Sequence, residues 1–276
     1  MIAPLQLFTY ADVTNCIFKL KNKEMRTNFF MPEGQFNTLR AQGKLSVFAG
    51  SDSLVMFAED DGFLRLYFVV RNAGCLADVF DIAPDRQDDI CVEAAGNSDY
   101  LLNVKSSFLS NGFHEYTSMV RMSKMRTETT EFDKSNIHRL TADKKVEIAG
   151  LYSRYFDKFV ERIPTEEELD GIIAHESCWY YSDNNEIQGF IIFDIHGVTS
   201  HLKYWFVHPD YRDRKIGSKL IQLFFNTGEK VKRELFWVIA SNENAIKRYK
   251  HFGFAEENMH NLILINKNIK YEEPNY

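Results

Sequence analysis

Arg212, Arg214, Lys215 and Lys219 stand within one short stretch of this otherwise acidic chain, opposed there by only Asp210 and Asp213. Cations at that density can hold a phosphate or pyrophosphate. The residues before them, 202–207, are rich in aromatic and β-branched types, and Pro209 stops that run; Ile216, Leu220, Leu223 and Phe224 then recur at helical spacing. A strand should therefore hand over to a helix across the basic turn. The unsatisfied N–H groups and positive dipole end of a new helix favour a bound anion. The G-x-x-x-x-G-K-[ST] spacing of a Walker-type nucleotide loop is missing. Taken alone, the turn suits nucleotides, sugar phosphates or coenzymes, or is a solvated surface turn.

The rest of the chain narrows these choices. A net charge of −6 over 276 residues lacks the broad positive face that nucleic acid or an anionic membrane requires, while one small anionic ligand in a basic pocket stays compatible. Hydrophobic residues make up 45% and aromatics 14%, so a globular chain with an ample core is expected rather than disorder. Cys16, Cys75, Cys91 and Cys178 lie far apart, with no C-x-x-C pair and no histidine at metal-ligand spacing. They read as reduced thiols of a cytoplasmic chain, with no metal site. No leader-like start is visible, and no apolar run nears the ~18 residues of a membrane helix, so a soluble, unprocessed protein is expected.

In chain order, a helix is expected at 35–42 and strands at 45–49, 53–58 and 63–70, divided by Gly50-Ser51-Asp52 and Asp60-Asp61-Gly62 into an antiparallel meander. A strand at 90–94 and a helix at 100–109 closing on Asn111-Gly112 follow. The polar stretch 123–136 is the best connector. Beyond it, helices open at Thr141-Ala142-Asp143 and at Pro164-Thr165-Glu166, and strands are expected at 178–181, 187–195 and 201–207. The basic turn and its helix come next, then a strand at 235–240, a helix at 242–252 and a strand at 261–266.

The two halves resemble each other. Leu64-Arg65-Leu66-Tyr67-Phe68-Val69-Val70 is similar to Leu202-Lys203-Tyr204-Trp205-Phe206-Val207, and Asn111-Gly112-Phe113-His114-Glu115 to Phe252-Gly253-Phe254-Ala255-Glu256, at separations that agree within three residues. Duplication accounts for this, and chance likeness between two α/β units is the alternative. The expected organisation is a first domain over 1–125, a connector over 126–136 and a second domain over 137–276.

In the second half Val207-His208-Pro209 leads into Arg212-Asp213-Arg214-Lys215-Ile216-Gly217, and Asn242, Ala245, Tyr249, Gly253 and Phe254 stand at the spacing N-x-x-A-x-x-x-Y-x-x-x-G-F. Taken together, these motifs resemble the GNAT superfamily of acyl-CoA N-acyltransferases. Its fourth strand ends in V-x-P and is followed by an R/Q-x-x-G-x-G/A loop, which is matched here with Lys215 in place of the first glycine. The resemblance covers roughly residues 137–276. With the repeat, it implies an α/β (α+β) fold of two GNAT-like units, each a mixed, mostly antiparallel sheet flanked by helices, the first unit degenerate.

The resemblance further implies acetyl-CoA as acyl donor, with no metal. The donor would be held at Phe206, Val207, Arg212, Asp213, Arg214, Lys215, Ile216, Gly217, Ser218, Asn242 and Tyr249. A glycine at 215 would allow positive φ and close backbone approach, so the lysine either compensates with charge or weakens the cradle. Asn242 suits a helix cap equally well. Tyr249 would protonate the departing thiolate, its phenol pKa of ~10 being close to a thiol's. His201, near the position of the family's strand glutamate and with a reference pKa of ~6.5, would accept the amine's proton. In the first half Phe108, Leu101 and Val104 stand, counting back from Gly112, at the Tyr, Asn and Ala positions, which implies a kept architecture and a lost site. The expected activity is acetyl transfer to a small-molecule or peptide amine by direct attack, with no nucleic-acid or membrane partner. The alternatives are a non-catalytic CoA-binding or structural protein, and a transferase of longer acyl groups. Tyr152, Tyr155, Phe156 and Phe159 suit an acceptor pocket or, better, a helix-core stripe.

Overall fold

A computed structural model of the chain describes residues 3–4, 8–82, 88–126 and 131–267. Part of the acidic stretch (83–87) and part of the expected connector (127–130) lie outside the described residues. Strands β1 (Ala3–Pro4) and β2 (Arg26–Thr27) flank helix α1 (Tyr10–Leu20), and α2 (Glu33–Ala41) follows. No helix is expected above where α1 stands, yet Val13, Cys16, Ile17 and Leu20 recur at helical spacing and its start is written in the chain. Asp12 N donates to Thr9 Oγ1 at 3.2 Å and Thr9 N to Asp12 Oδ2 at 2.8 Å, a reciprocal capping box.

The expected meander is β3 (Leu45–Ala49), β4 (Ser53–Asp60) and β5 (Phe63–Val70), paired antiparallel. It is followed by α3 (Ala77–Asp81), β6 (Ile90–Gly96), α4 (Ser98–Ser110) and β7 (His114–Met125). The second half runs β8 (Ile137–Arg139), α5 (Lys145–Tyr155), α6 (Glu166–Ala174), β9 (Cys178–Asp183), β10 (Glu186–His196) and β11 (Thr199–Val207). It closes with α7 (Ile216–Asn226), β12 (Arg233–Ile239), α8 (Glu243–His251) and β13 (Ala255–Ile265).

Among the described residues the chain forms two compact units. One takes the chain as far as Met119 together with the segment that starts at Asn258; the other is Val120–Glu257. In the amino-terminal unit the strand order is β1-β3-β4-β5-β6-β13, with β2 added on β5, and β5–β6 is a parallel pair. In the carboxyl-terminal unit it is β7-β12-β11-β10-β9-β8, with β8 to β11 antiparallel and β11–β12 parallel. Each sheet buries both faces under helices. Leu101, Val104 and Phe108 of α4 pack on Phe57, Phe68 and Val70, while Val13 and Phe36 cover Leu54, Met56 and Val69. In the other unit, α7 packs Ile216, Leu220 and Phe224 on Ile191, Phe193 and Phe236, and α5 and α6 cover Phe190, Ile192 and Phe206.

The repeat reappears in the helix ends. Phe113 N donates to Phe108 O and Phe254 N to Tyr249 O, each at 3.1 Å, across Gly112 at φ +87° and Gly253 at φ +84°. Glycine takes that conformation without strain, and the two C-caps are the same device. Phe108 therefore stands where Tyr249 does. At the other ends, Asn97 and Asn242 both cap their helices, accepting from Tyr100 N and Ala245 N at 2.9 Å. Counting back from Gly112 sets Leu101 opposite Asn242, but the caps pair Asn97 with it, because α4 has 13 residues and α8 has 9.

Candidate active site

The ladder between β11 and β12 holds only at Thr199↔Arg233, Ser200↔Glu234 and His201↔Leu235, although β11 runs on to Val207 and β12 to Ile239. A bulge accounts for the parting: the register of β10 against β11 slips after Ile192↔Tyr204 to Phe193↔Leu202, passing over Lys203. An unpaired bulge residue bends its strand and increases local twist. Past it, Tyr204 and Phe206 pack toward α5, and Trp205 and Val207 toward α7 and α8. The parted edges present main-chain polar groups that a ligand can satisfy.

At the end of β11 the chain turns through Pro209–Tyr211 into α7. Lys215 takes φ +61° and Asp213 φ +64°, so the glycine-like conformation is present without glycine. Lys215 provides no side-chain cap, and the first N–H groups of α7 depend on another partner. Gly217 is closely packed: a Cβ there would stand 3.3 Å from both the Trp205 and the Val207 side chains, a tight contact. Trp205 leaves its buried indole Nε1 without a hydrogen-bond partner beside that turn. Asp213, Arg214, Lys215 and Ser218 are exposed, Arg212 is half-buried and Ile216 is buried. The Arg214 guanidinium lies 4.9 Å over the Tyr211 ring, and the Tyr211 hydroxyl donates to Glu186 at 2.5 Å. Lys219 is engaged elsewhere, 2.6 Å from Asp133. Arg212, Arg214 and Lys215 are the other cations of this turn.

Tyr249, on α8, is held by the Phe236 ring at 4.3 Å and the Trp205 ring at 5.9 Å. Burial pushes its hydroxyl up to about 12, so it keeps its proton across the physiological range. His201 occupies the last position of β11 that pairs with β12, six residues before Val207, which is ~20 Å of strand. Burial, helped by Lys203, lowers it to about 4.

A carboxyl that the sequence did not single out lies near Tyr204. Glu161, in the loop after α5, accepts from Asp157 N at 3.0 Å, and burial raises its pKa to about 7 against the lowering effect of that hydrogen bond. The Tyr204 hydroxyl donates to Arg162 O next to it. Tyr152 is fully buried, with its hydroxyl unpartnered and pushed up by burial. Tyr152 and Phe156 pack on Phe190 and Tyr204, so these aromatics form core more than pocket. Nothing in the sequence marks Glu161, because a glutamate in a loop is commonplace and its burial comes from tertiary packing. At the strand end, His208 Nε2 and the Tyr155 hydroxyl are 2.8 Å apart, and the backbone N–H of Asp210 donates to His208 Nδ1 at 3.3 Å.

Residues 145–254 match the model of the acetyltransferase (GNAT) family. The carboxyl-terminal unit is a GNAT domain. No curated protein matches the chain by sequence. Among solved structures, a tandem GNAT protein from the clavulanic acid biosynthesis pathway covers 99% of this chain and 99% of its own at 9% identity and a TM-score of 0.59. A GNAT-family acetyltransferase from Colwellia psychrerythraea covers 96% and 98% at 11% identity and a TM-score of 0.57. A fungal multi-domain GH3 β-N-acetylglucosaminidase described as having a GCN5-related glucosamine N-acetyltransferase region matches over 96% of this chain and 38% of its own, at 12% identity and a TM-score of 0.68. At these identities the likeness is one of fold, and it extends over both units.

The GNAT domain and its fold support N-acyl transfer from an acyl-CoA as the class of activity. Its cleft fits such a donor on three observations: the parted β11–β12 edges, the uncapped start of α7 and the orphaned indole N–H of Trp205. Among the described residues, no helix is long and apolar enough to cross a membrane. Cys16, Cys75, Cys91 and Cys178 are free thiols.

Proposed function

We propose that the GNAT domain transfers an acetyl group from acetyl-CoA to the amine of a small molecule or peptide. One observation carries this reading: the strand that parts from its parallel neighbour, β11, ends in the cation-flanked, uncapped start of α7. Acetyl-CoA supplies the acyl group as a thioester. Arg212, Arg214 and Lys215, with the N–H groups of Ile216, Gly217 and Ser218, would hold its pyrophosphate by charge and by the helix dipole. Phe206 and Val207 would bond its pantetheine arm along the free edge, with Asn242, already the cap of α8, beside it.

Tyr249 keeps a transferable proton at its hydroxyl, the property a general acid needs. For the opposite task, Glu161 suits better than His201. Its value of about 7 is poised at working pH, whereas a histidine lowered to about 4 is a weak base and sits at the closed end of the cleft. The free thiols fit a reducing cytoplasm.

A second reading, a CoA-binding protein without turnover, is favoured by the two non-glycine residues at positive φ in the cradle, Asp213 and Lys215. A donor with a longer acyl chain would bind through the same groups. Melting curves with acetyl-CoA test the binding step. The expected result is a rise in Tm that grows with ligand and shrinks in Arg212→Ala, since stabilisation follows free ligand over its Kd. No shift at millimolar acetyl-CoA would sink the proposal.

A further inference from the structure

The parallel pair of the amino-terminal unit parts in the same way. β5 and β6 pair only at Leu64↔Ile90 and Arg65↔Cys91, although β5 runs to Val70 and β6 to Gly96. Here the gap is taken by the chain itself. β2 pairs with the freed edge of β5 at Arg26↔Val70 and Thr27↔Val69. Asn28 continues the filling. Its backbone N–H donates to Phe68 O at 3.2 Å, and its carboxamide oxygen accepts from Phe68 N at 2.6 Å. Its carboxamide nitrogen donates to Leu66 O on β5 and to Glu93 O on β6, both at 2.9 Å. One side chain thus satisfies main-chain groups of both parted strands, at 5% exposure.

Tyr100, in the first turn of α4, holds the segment from the helix side. Its hydroxyl accepts from Thr27 N at 2.9 Å and donates to Thr27 O at 2.6 Å. Its ring fills the space over Gly96, where a Cβ would come within 2.4 Å of it. The turn after β5 carries one cation, Arg71, and that residue pairs with Asp52. Among the described residues, no strand takes the equivalent place on β11.

We propose that residues 26–28 are a built-in occupant of the amino-terminal cleft, a peptide edge and an asparagine amide filling the kind of gap that takes acyl-CoA in the other unit. This rests on the functional reading above for what the open cleft binds. The amino-terminal unit takes no acyl-CoA, and the whole chain takes one.

Calorimetric titration of the full chain with acetyl-CoA, run beside amide hydrogen exchange of the free and saturated protein, tests this. One site per chain is expected. The Phe68 amide should exchange as slowly as those of β4 in both states, while amides of 204–207 are slowed by acetyl-CoA. In Asn28→Ala the Phe68 amide should exchange about tenfold faster or more. Two sites per chain, or a Phe68 amide that exchanges freely in the unliganded wild type, overturns the proposal, and neither readout depends on the variant folding. If acetyl-CoA neither binds nor slows 204–207, the functional reading fails instead, and the Phe68 amide still decides whether the cleft is filled from within.

Discussion

Lys215 sits at φ +61°, a conformation that costs a side chain with a Cβ roughly 1–2 kcal/mol. Lys215→Gly should relieve that strain, offset in part by the freedom glycine gives the unfolded chain, for a net gain of up to about 1 kcal/mol in denaturant unfolding. The same change removes a cradle cation, so acetyl-CoA affinity should fall while stability rises. Glu161 makes a prediction of opposite character. Its pKa of about 7 stands above the unfolded ~4.3, so between those values the folded protein holds a proton that the unfolded chain has lost. Stability should therefore fall as pH rises through that window, and Glu161→Gln should flatten the dependence. If Glu161 receives the amine's proton, kcat/KM should climb with an inflection near neutrality that Glu161→Gln lacks. A profile identical in both enzymes would remove Glu161 from that role. The strand-turn-helix before α7 and the place of Tyr249 on α8 were legible in the sequence because their spacings are local. Glu161 and Asn28 were not: Asn28 meets Leu66 and Glu93, which are 38 and 65 residues away.

At the scale of elements, α7 depends on a residue outside its own half-sequence. Arg126 donates to Phe224 O, Thr227 O and Gly228 O at the end of α7 and to the fully buried Glu234 of β12 at 2.7 Å, with Lys124 3.3 Å from the same carboxylate. Arg126→Ala leaves those carbonyls and part of a buried charge uncompensated, and should cost about 3–5 kcal/mol in chemical denaturation. A loss below about 1 kcal/mol would mean that Lys124 alone satisfies Glu234. The elements themselves followed the pattern where periodicity was strong: the meander, β10, β11 and α7 fall where expected. α1 escaped although Val13, Cys16, Ile17 and Leu20 recur at helical spacing and the T-x-x-D of its capping box marks its start. The asparagine cap of α4 escaped because an added helical turn shifts any count made from Gly112.

At the scale of the molecule, duplication was legible as repeated order and repeated Gly-Phe helix ends. The membership of the strands was not: each unit includes a segment of the last strand of the other half, Val120–Met125 of β7 in one and the segment from Asn258 of β13 in the other. Pairing across such sequence distances leaves no local trace, since a strand looks alike whichever sheet receives it. The two units share a plan and differ at the cleft, filled from within in one and bordered by a cationic helix start in the other. The central claim, acyl transfer to an amine in the carboxyl-terminal unit with Tyr249 as proton donor, is met most directly by free-thiol release from acetyl-CoA across a broad panel of primary amines. The account predicts amine-dependent release that falls roughly 10²–10⁴-fold in kcat in Tyr249→Phe, with Tm nearly unchanged because the ring contacts stay. Acetyl-CoA that binds but releases no thiol with any amine, or a Tyr249→Phe enzyme as fast as the wild type, would contradict it.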